Sequence, residues 1–178
     1  MTKPRFNLAL MPRDEDITEA LYSHAHILRK AAAGYCIAPN KALAHVTLCQ
    51  FRAEDDMHAK RITDQFIGTA CRIKITGLYQ RPYPADPALL WFGYSVQHDE
   101  DLMTLQHSAH QSLTKTADSV LTGTAHDYDP HFTLARIHNA GPLDIQTFFT
   151  SSCLNADIAC SVHLGRSDEN GQYLETVS

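Results

Sequence analysis

Apolar and polar residues repeat along this chain with two periods, and the switches between them mark out strands and helices. Residues 5–11 (RFNLALM) alternate enough to read as a strand, and Pro12 ends it. Residues 14–33 read as a helix. Their first turn is acidic, which complements the helix dipole, and Ile17, Leu21, Ala25, Leu28 and Ala32 recur at helical spacing before Gly34. Residues 35–38 form a short apolar strand closed by the Pro39-Asn40 turn signal. Residues 44–51 read as a strand, 54–66 as a helix and 70–79 as an alternating strand. The proline-rich run 81–87 reads as a rigid connection between two lobes. Its tyrosine and arginine side chains either stack on a base or pack on the loop itself.

Residues 88–96 (ALLWFGYSV) are almost continuously apolar and hold the only tryptophan, as a central strand would. Residues 99–116 read as a long helix with Leu102, Leu105, Ala109 and Leu113 on its buried stripe. A polar loop, 123–130, leads to a strand at 131–137. A turn at 139–142, a short helix at 143–151 and a strand at 157–164 follow. Asp168-Glu169-Asn170-Gly171 is a hairpin signal before a last strand, 172–177. Several strands are joined by short turns, so the pattern predicts an α+β protein with antiparallel sheets, not a doubly wound parallel one.

One four-residue pattern occurs twice: His45-Val46-Thr47-Leu48 and His131-Phe132-Thr133-Leu134. Side chains alternate faces along a strand, so each copy turns its imidazole and hydroxyl to one face and its apolar pair to the other. The Cα atoms of each His and Thr then lie roughly 6.5 Å apart, a reach that suits an oxyanion held between them. A single His-x-Thr is weak evidence, because sheets are rich in threonine and half-buried histidine is common. Two copies about half a chain apart suggest two similar lobes, each giving one strand to a shared cleft. The other histidine pairs read differently. His24 and His26 are too close on their helix to share a face, and His107 and His110 have no carboxylate at the spacing a metal site would use.

The 178 residues suit one domain with a good core, and the 44% hydrophobic and 20% charged content is ordinary for a soluble globular protein. A net charge of −5 disfavours a protein that grips long duplex nucleic acid, but is compatible with a small phosphorylated ligand or an RNA end. The N-terminus has no signal-peptide core, and no apolar run is long enough to span a membrane. The five cysteines (Cys36, Cys49, Cys71, Cys153 and Cys160) include no C-x-x-C pair, as expected of free thiols in the cytoplasm. A cytoplasmic monomer is the expectation.

The paired motifs and their flanks resemble the two-histidine (2H) phosphoesterase superfamily, and within it the RNA 2',3'-cyclic phosphodiesterases, also called 2'-5' RNA ligases. The resemblance rests on the opening strand with Met11-Pro12, on Ala44 to Phe51, on Leu89-Leu90-Trp91-Phe92-Gly93, and most closely on Asp129-Pro130-His131-Phe132-Thr133-Leu134-Ala135-Arg136. It implies a single domain, 1–178, of two lobes related by a pseudo-twofold. Two antiparallel sheets would face each other across a central cleft, with helices outside and one motif on each side. Cys49 and Gln50 stand where many relatives carry a basic and a hydrophobic residue, and Arg52-Ala53 replaces the usual small-residue turn. These departures bear on substrate choice.

Two imidazoles facing one phosphate need neither metal nor cofactor. Histidine titrates near neutral pH, so one ring can take a proton from water while the other gives one to the leaving ribose oxygen. Thr47 and Thr133 would hold the non-bridging oxygens. Arg136 could clamp the phosphate, but it is five residues after His131 and faces away from it unless a bulge intervenes. Phe51, Tyr83 and Trp91 are candidates for base stacking. The expected activity is metal-independent opening of a 2',3'-cyclic phosphate, on an RNA end or a small nucleotide, or cleavage of a 2'-5' linkage, with ligation as the reverse. The alternatives are a non-catalytic nucleotide or RNA-end binder on the same cleft, and a metal hydrolase using His126, Asp127, Asp129 and His131.

Overall fold

The opening strand is apolar on both faces because it ends up between two others. In the computed structural model, which describes residues 2–123, 125–138 and 157–177, this is β1 (Arg5–Pro12), and residues 6–10 are all buried. The chain continues through α1 (Glu15–Leu28), β2 (Ala32–Cys36), β3 (Val46–Arg52), α2 (Asp56–Thr63), β4 (Ala70–Ile73), β5 (Ile75–Tyr83) and β6 (Asp86–Val96). It is completed by α3 (Glu100–Thr116), β7 (Ser119–Val120), β8 (His131–His138), β9 (Ile158–Ser167) and β10 (Tyr173–Thr176). The turn and helix expected at 139–151 lie outside the described residues.

The helices begin at aspartates. Asp14 accepts the Asp16 amide, Asp55 accepts the His58 amide and Asp99 accepts the Leu102 amide, satisfying donors that the first helical turn leaves unpaired. α1 buries Ile17, Leu21, Ala25 and Leu28 together with His24, whose Nδ1 lies 2.6 Å from the Tyr94 hydroxyl on β6. It stops at Leu28, short of Ala33, because the chain from Ala32 pairs with β8.

The sheet runs β10-β9-β1-β3-β8-β6-β5, with β4 on β9, β7 on β3 and β2 on β8. All its pairings are antiparallel. Its two halves meet between β3 and β8 through one registered pair, Val46 opposite Phe132. Beyond it the strands part, and each takes a short partner, β7 for β3 and β2 for β8. The two facing sheets expected from the sequence are the halves of this one network. α3 packs on β3 and α1 on β8, so each half carries a helix.

Two further segments differ from expectation. Residues 70–79 are not one strand: β4 pairs with β9 in one half and β5 with β6 in the other, with the crossover at Lys74. The proline-rich run is not a connecting loop but the tip of the β5–β6 hairpin. Pro82 is tolerated there because β5 is an edge strand, where a missing amide costs no ladder bond.

Both motif strands carry a bulge at the same place. Leu8 pairs with Cys49 but Ala9 with Thr47, leaving Leu48 as the extra residue. Phe92 pairs with Ala135 but Gly93 with Thr133, leaving Leu134. An extra residue flips the side-chain alternation beyond it. Gly93 closes the second bulge, where an added Cβ would lie 1.8 Å from the Phe132 carbonyl oxygen and 3.0 Å from the Thr133 Cα. These are backbone atoms and cannot swing aside. Gly93→Ala is therefore expected to cost at least ~2 kcal/mol in urea denaturation, as overpacking does. Gly77→Ala, with nothing within 4 Å of its Cβ, should change stability by less than about 0.5 kcal/mol.

Candidate active site

The antiparallel register at Val46–Phe132 sets the site. It brings His45 across from Thr133 and Thr47 across from His131, all four on the face opposite the buried Val46 and Phe132. The four line a cavity of about 330 Å³ with Gln50, Tyr79, Arg81, Trp91, Tyr128 and Asp129, among others.

Both imidazoles are fixed by the same local device. His45 Nδ1 lies 2.8 Å from the Leu43 carbonyl, and His131 Nδ1 lies 2.7 Å from the Asp129 carbonyl, in each case two residues earlier. A carbonyl only accepts, so Nδ1 carries the proton on both rings. This leaves Nε2 of each neutral ring as an acceptor: that of His131 meets no donor among the described residues, and that of His45 meets Asn7.

Their surroundings differ. His45 is buried under the Tyr173 ring at 5.5 Å. Its Nε2 is 3.2 Å from Asn7 Nδ2, which also donates to Thr47 Oγ1 at 3.1 Å. Burial lowers the His45 pKa to about 4, against the opposing pull of the Leu43 carbonyl and with a smaller push from His131. His131 stacks face to face on Tyr79, centroids 3.9 Å apart and planes within 3°. Burial lowers its pKa too, opposed by the Asp129 carbonyl and carboxylate and assisted by Arg81. Arg81 pairs with Asp129 at 2.7 Å. The Tyr128 hydroxyl donates to the Thr47 carbonyl at 2.9 Å, tying the loop before β8 to β3.

The remaining candidates divide. Trp91 lines the cavity, edge-on to Tyr35 at 5.2 Å. Phe51 does not: it is fully buried against Phe6, ring centroids 5.7 Å apart, because the bulge at Leu48 turns it to the core and brings Gln50 to the cleft. The corresponding bulge at Leu134 puts Arg136 on the cleft side of β8, as a phosphate clamp requires. Yet its Nε donates to the Ala33 carbonyl at 2.8 Å, and its guanidinium lies 4.5 Å from the Tyr83 ring and 5.5 Å from the Trp91 ring, away from the cavity. Tyr83 holds Arg136 and Trp91 from outside, and its hydroxyl donates to Asn170 Oδ1 at 3.2 Å. Asp129 is engaged with Arg81 and, among the described residues, no three His, Cys, Asp or Glu side chains converge as a metal site would require.

Sequence reasoning misses Asn7, Tyr79 and Tyr128, and marks Gln50 only as a departure that bears on substrate choice. Asn7 did leave a signal, since an asparagine inside an apolar strand is out of place unless it has partners. Tyr79 left none, because its place over His131 depends on the β5–β6 register. The assembled site can receive a small tetrahedral anion, with two hydroxyls to donate hydrogen bonds and two ring nitrogens to move protons.

No protein-family model and no curated protein matches the sequence. Solved structures do match over nearly the whole chain. E. coli LigT complexed with phosphate is 14% identical with a TM-score of 0.57, over 99% of this chain and 96% of that one. E. coli LigT complexed with 3'-AMP gives 14% and 0.56 over the same shares. Kluyveromyces marxianus Usb1 gives 10% and 0.52 over 99% of this chain and 98% of that one. The chain has the fold of these proteins.

The His45 environment has a thermodynamic consequence. Its folded pKa, about 4, lies below the ordinary value of 6.5, so the unfolded chain takes up the proton first on acidification. The stability this group contributes is complete above about pH 6.5 and is lost as pH falls towards 4, an amount of order ~3 kcal/mol. A His45→Gln variant should therefore lose less stability than the wild type between about pH 7 and 4.5 in paired urea titrations. The carboxylates are common to both proteins and cancel.

Proposed function

We propose that this protein is a 2H phosphoesterase that opens 2',3'-cyclic phosphates, on an RNA end or a small nucleotide, or cleaves 2'-5' phosphodiester linkages, without a metal. The observation that carries this reading is the matched pair of Nδ1–carbonyl bonds, which makes Nε2 the proton-accepting atom of both rings on one cavity beside two threonine hydroxyls. A binding site for the same ligands has no need of two rings held in that tautomer. The likeness to LigT, crystallised with phosphate and with 3'-AMP, supports a small phosphorylated ligand. The protein acts as one domain of two lobes, each supplying one motif, and as a cytoplasmic monomer.

In the reaction one imidazole takes a proton from water as the water oxygen bonds to phosphorus. The bond from phosphorus to the 2' or 3' oxygen breaks, and the other ring, protonated, delivers its proton to that oxygen. Thr47 and Thr133 donate to the non-bridging oxygens, whose charge must be held during displacement. Both rings are biased to be neutral in the free protein. The bound phosphate anion raises both pKa values and lets one ring keep a proton. Trp91 and Tyr35, on the wall of the cavity, would pack against the base or ribose.

His45→Ala and His131→Ala are each expected to reduce turnover of a 2',3'-cyclic nucleotide by at least about 10²-fold, with cooperative unfolding retained. Wild-type turnover should persist in excess chelator. Near-normal rates in either variant would overturn the paired-histidine reading. Loss of activity in chelator would favour a metal hydrolase, and binding without product a nucleotide or RNA-end binder.

A further inference from the structure

The two histidines are held alike at Nδ1 but not at Nε2, and the difference lies in one side chain on the neighbouring strand. Asn7 is fully buried on β1, and its amide nitrogen reaches three acceptors. These are His45 Nε2 at 3.2 Å, Thr47 Oγ1 at 3.1 Å and the Gly171 carbonyl at 3.4 Å. The carbonyl fixes which way the amide points. Turned over, Asn7 would set its Oδ1 against the Gly171 oxygen, and its two N–H donors would occupy the place where Oδ1 now sits buried without a partner. Leaving N–H groups unpaired there, and opposing two acceptors, is the worse arrangement. Gly171 is itself held by its turn, with φ of 81° ahead of β10, and its carbonyl also accepts from Gln50 Nε2 at 3.3 Å.

An N–H donor aimed at Nε2 pairs with the neutral ring and opposes protonation. His131 has no such donor on its Nε2 among the described residues. Two groups that face it favour the imidazolium, the Tyr79 ring in parallel stacking and the Asp129 carboxylate, which lies 3.9 Å from His98; Arg81, which shares that carboxylate, opposes it. The titratable groups facing His45 are His131 and Tyr173, and neither offers it a carboxylate.

We propose that Asn7 is a positioning residue that holds His45 as the proton acceptor of the pair, so that His131 is the proton donor to the leaving oxygen. This rests on the paired-histidine reading above. It gives direction to a site whose fold is nearly symmetric: water would be activated on the β3 side, and the ribose oxygen would leave on the β8 side.

The test compares the wild type, Asn7→Asp and Asn7→Leu by NMR titration of the histidine rings. It adds the pH dependence of kcat on adenosine 2',3'-cyclic phosphate between about pH 4 and 9. A carboxylate at residue 7 accepts from Nε2–H, so the His45 midpoint should rise by at least about one unit while that of His131 stays in place. The optimum should move to higher pH, and the maximal rate should fall about fivefold or more, because the acceptor is now occupied by a proton. Asn7→Leu keeps the branched shape of the side chain and removes the amide donor. It should raise the His45 midpoint by a smaller amount, and it decides the matter if the aspartate variant does not fold. A maximal rate that rises in Asn7→Asp would make His45 the donor and overturn the assignment. A His45 midpoint that stays put in both variants, or a loss of rate with an unmoved optimum, would reduce Asn7 to packing. Wild type without turnover on this substrate or on a 2'-5' dinucleotide would sink the enzymatic reading itself, whatever the titrations show.

Discussion

One cross-strand pair, Val46 against Phe132, joins the two halves of this protein, and the candidate site exists because of where it falls. Each partner is the residue between histidine and threonine in its motif, and each is fully buried. An antiparallel register centred there puts both imidazoles and both hydroxyls on the opposite face. A slip of one residue would send the histidines into the core and the apolar residues into the cleft. The burial of Val46 and Phe132 therefore fixes the register of the chemistry, and the parting of β3 and β8 beyond them opens the cavity.

The second constraint is the cost of burying polar rings. Two imidazoles buried near one another resist charge, and both are pushed towards the neutral form by desolvation. Their Nδ1 protons are satisfied by backbone carbonyls, so the rings neither rotate nor change tautomer freely. A site prepared in this way offers hydroxyl donors and imidazole acceptors but little positive charge.

The near-twofold likeness of the halves is broken where specificity would be needed. The bulges at Leu48 and Leu134 are equivalent, yet the residues they turn to the cleft side are Gln50 on β3 and Arg136 on β8. Gln50 stays at the cavity and braces the Gly171 carbonyl. Arg136 is drawn off by the Tyr83 and Trp91 rings and the Ala33 carbonyl, and so stiffens the wall that Trp91 presents. Asn7 and Tyr79, each beside one histidine, carry the asymmetry down to the two imidazoles.

Much of this was written in local pattern. Helix starts at Asp14 and Asp99, the buried stripe of α3 and the doubled His-x-Thr all follow from side-chain periodicity and capping, which depend only on neighbours along the chain. The motif named His45, Thr47, His131 and Thr133 because alternation on a strand is a local rule, and the structure brings those four together at one cavity. The same rule failed at Phe51, because a bulge reverses alternation and the partner strand decides whether a bulge forms. The proline-rich run was legible as rigid but not as a hairpin tip, since an edge strand is defined by the missing neighbour. The engagement of Arg136 by aromatic rings, the place of Tyr79 over His131 and the direction of the Asn7 amide were all set by tertiary packing. Each depends on a residue brought near from a distant part of the chain, and periodicity carries no record of such contacts.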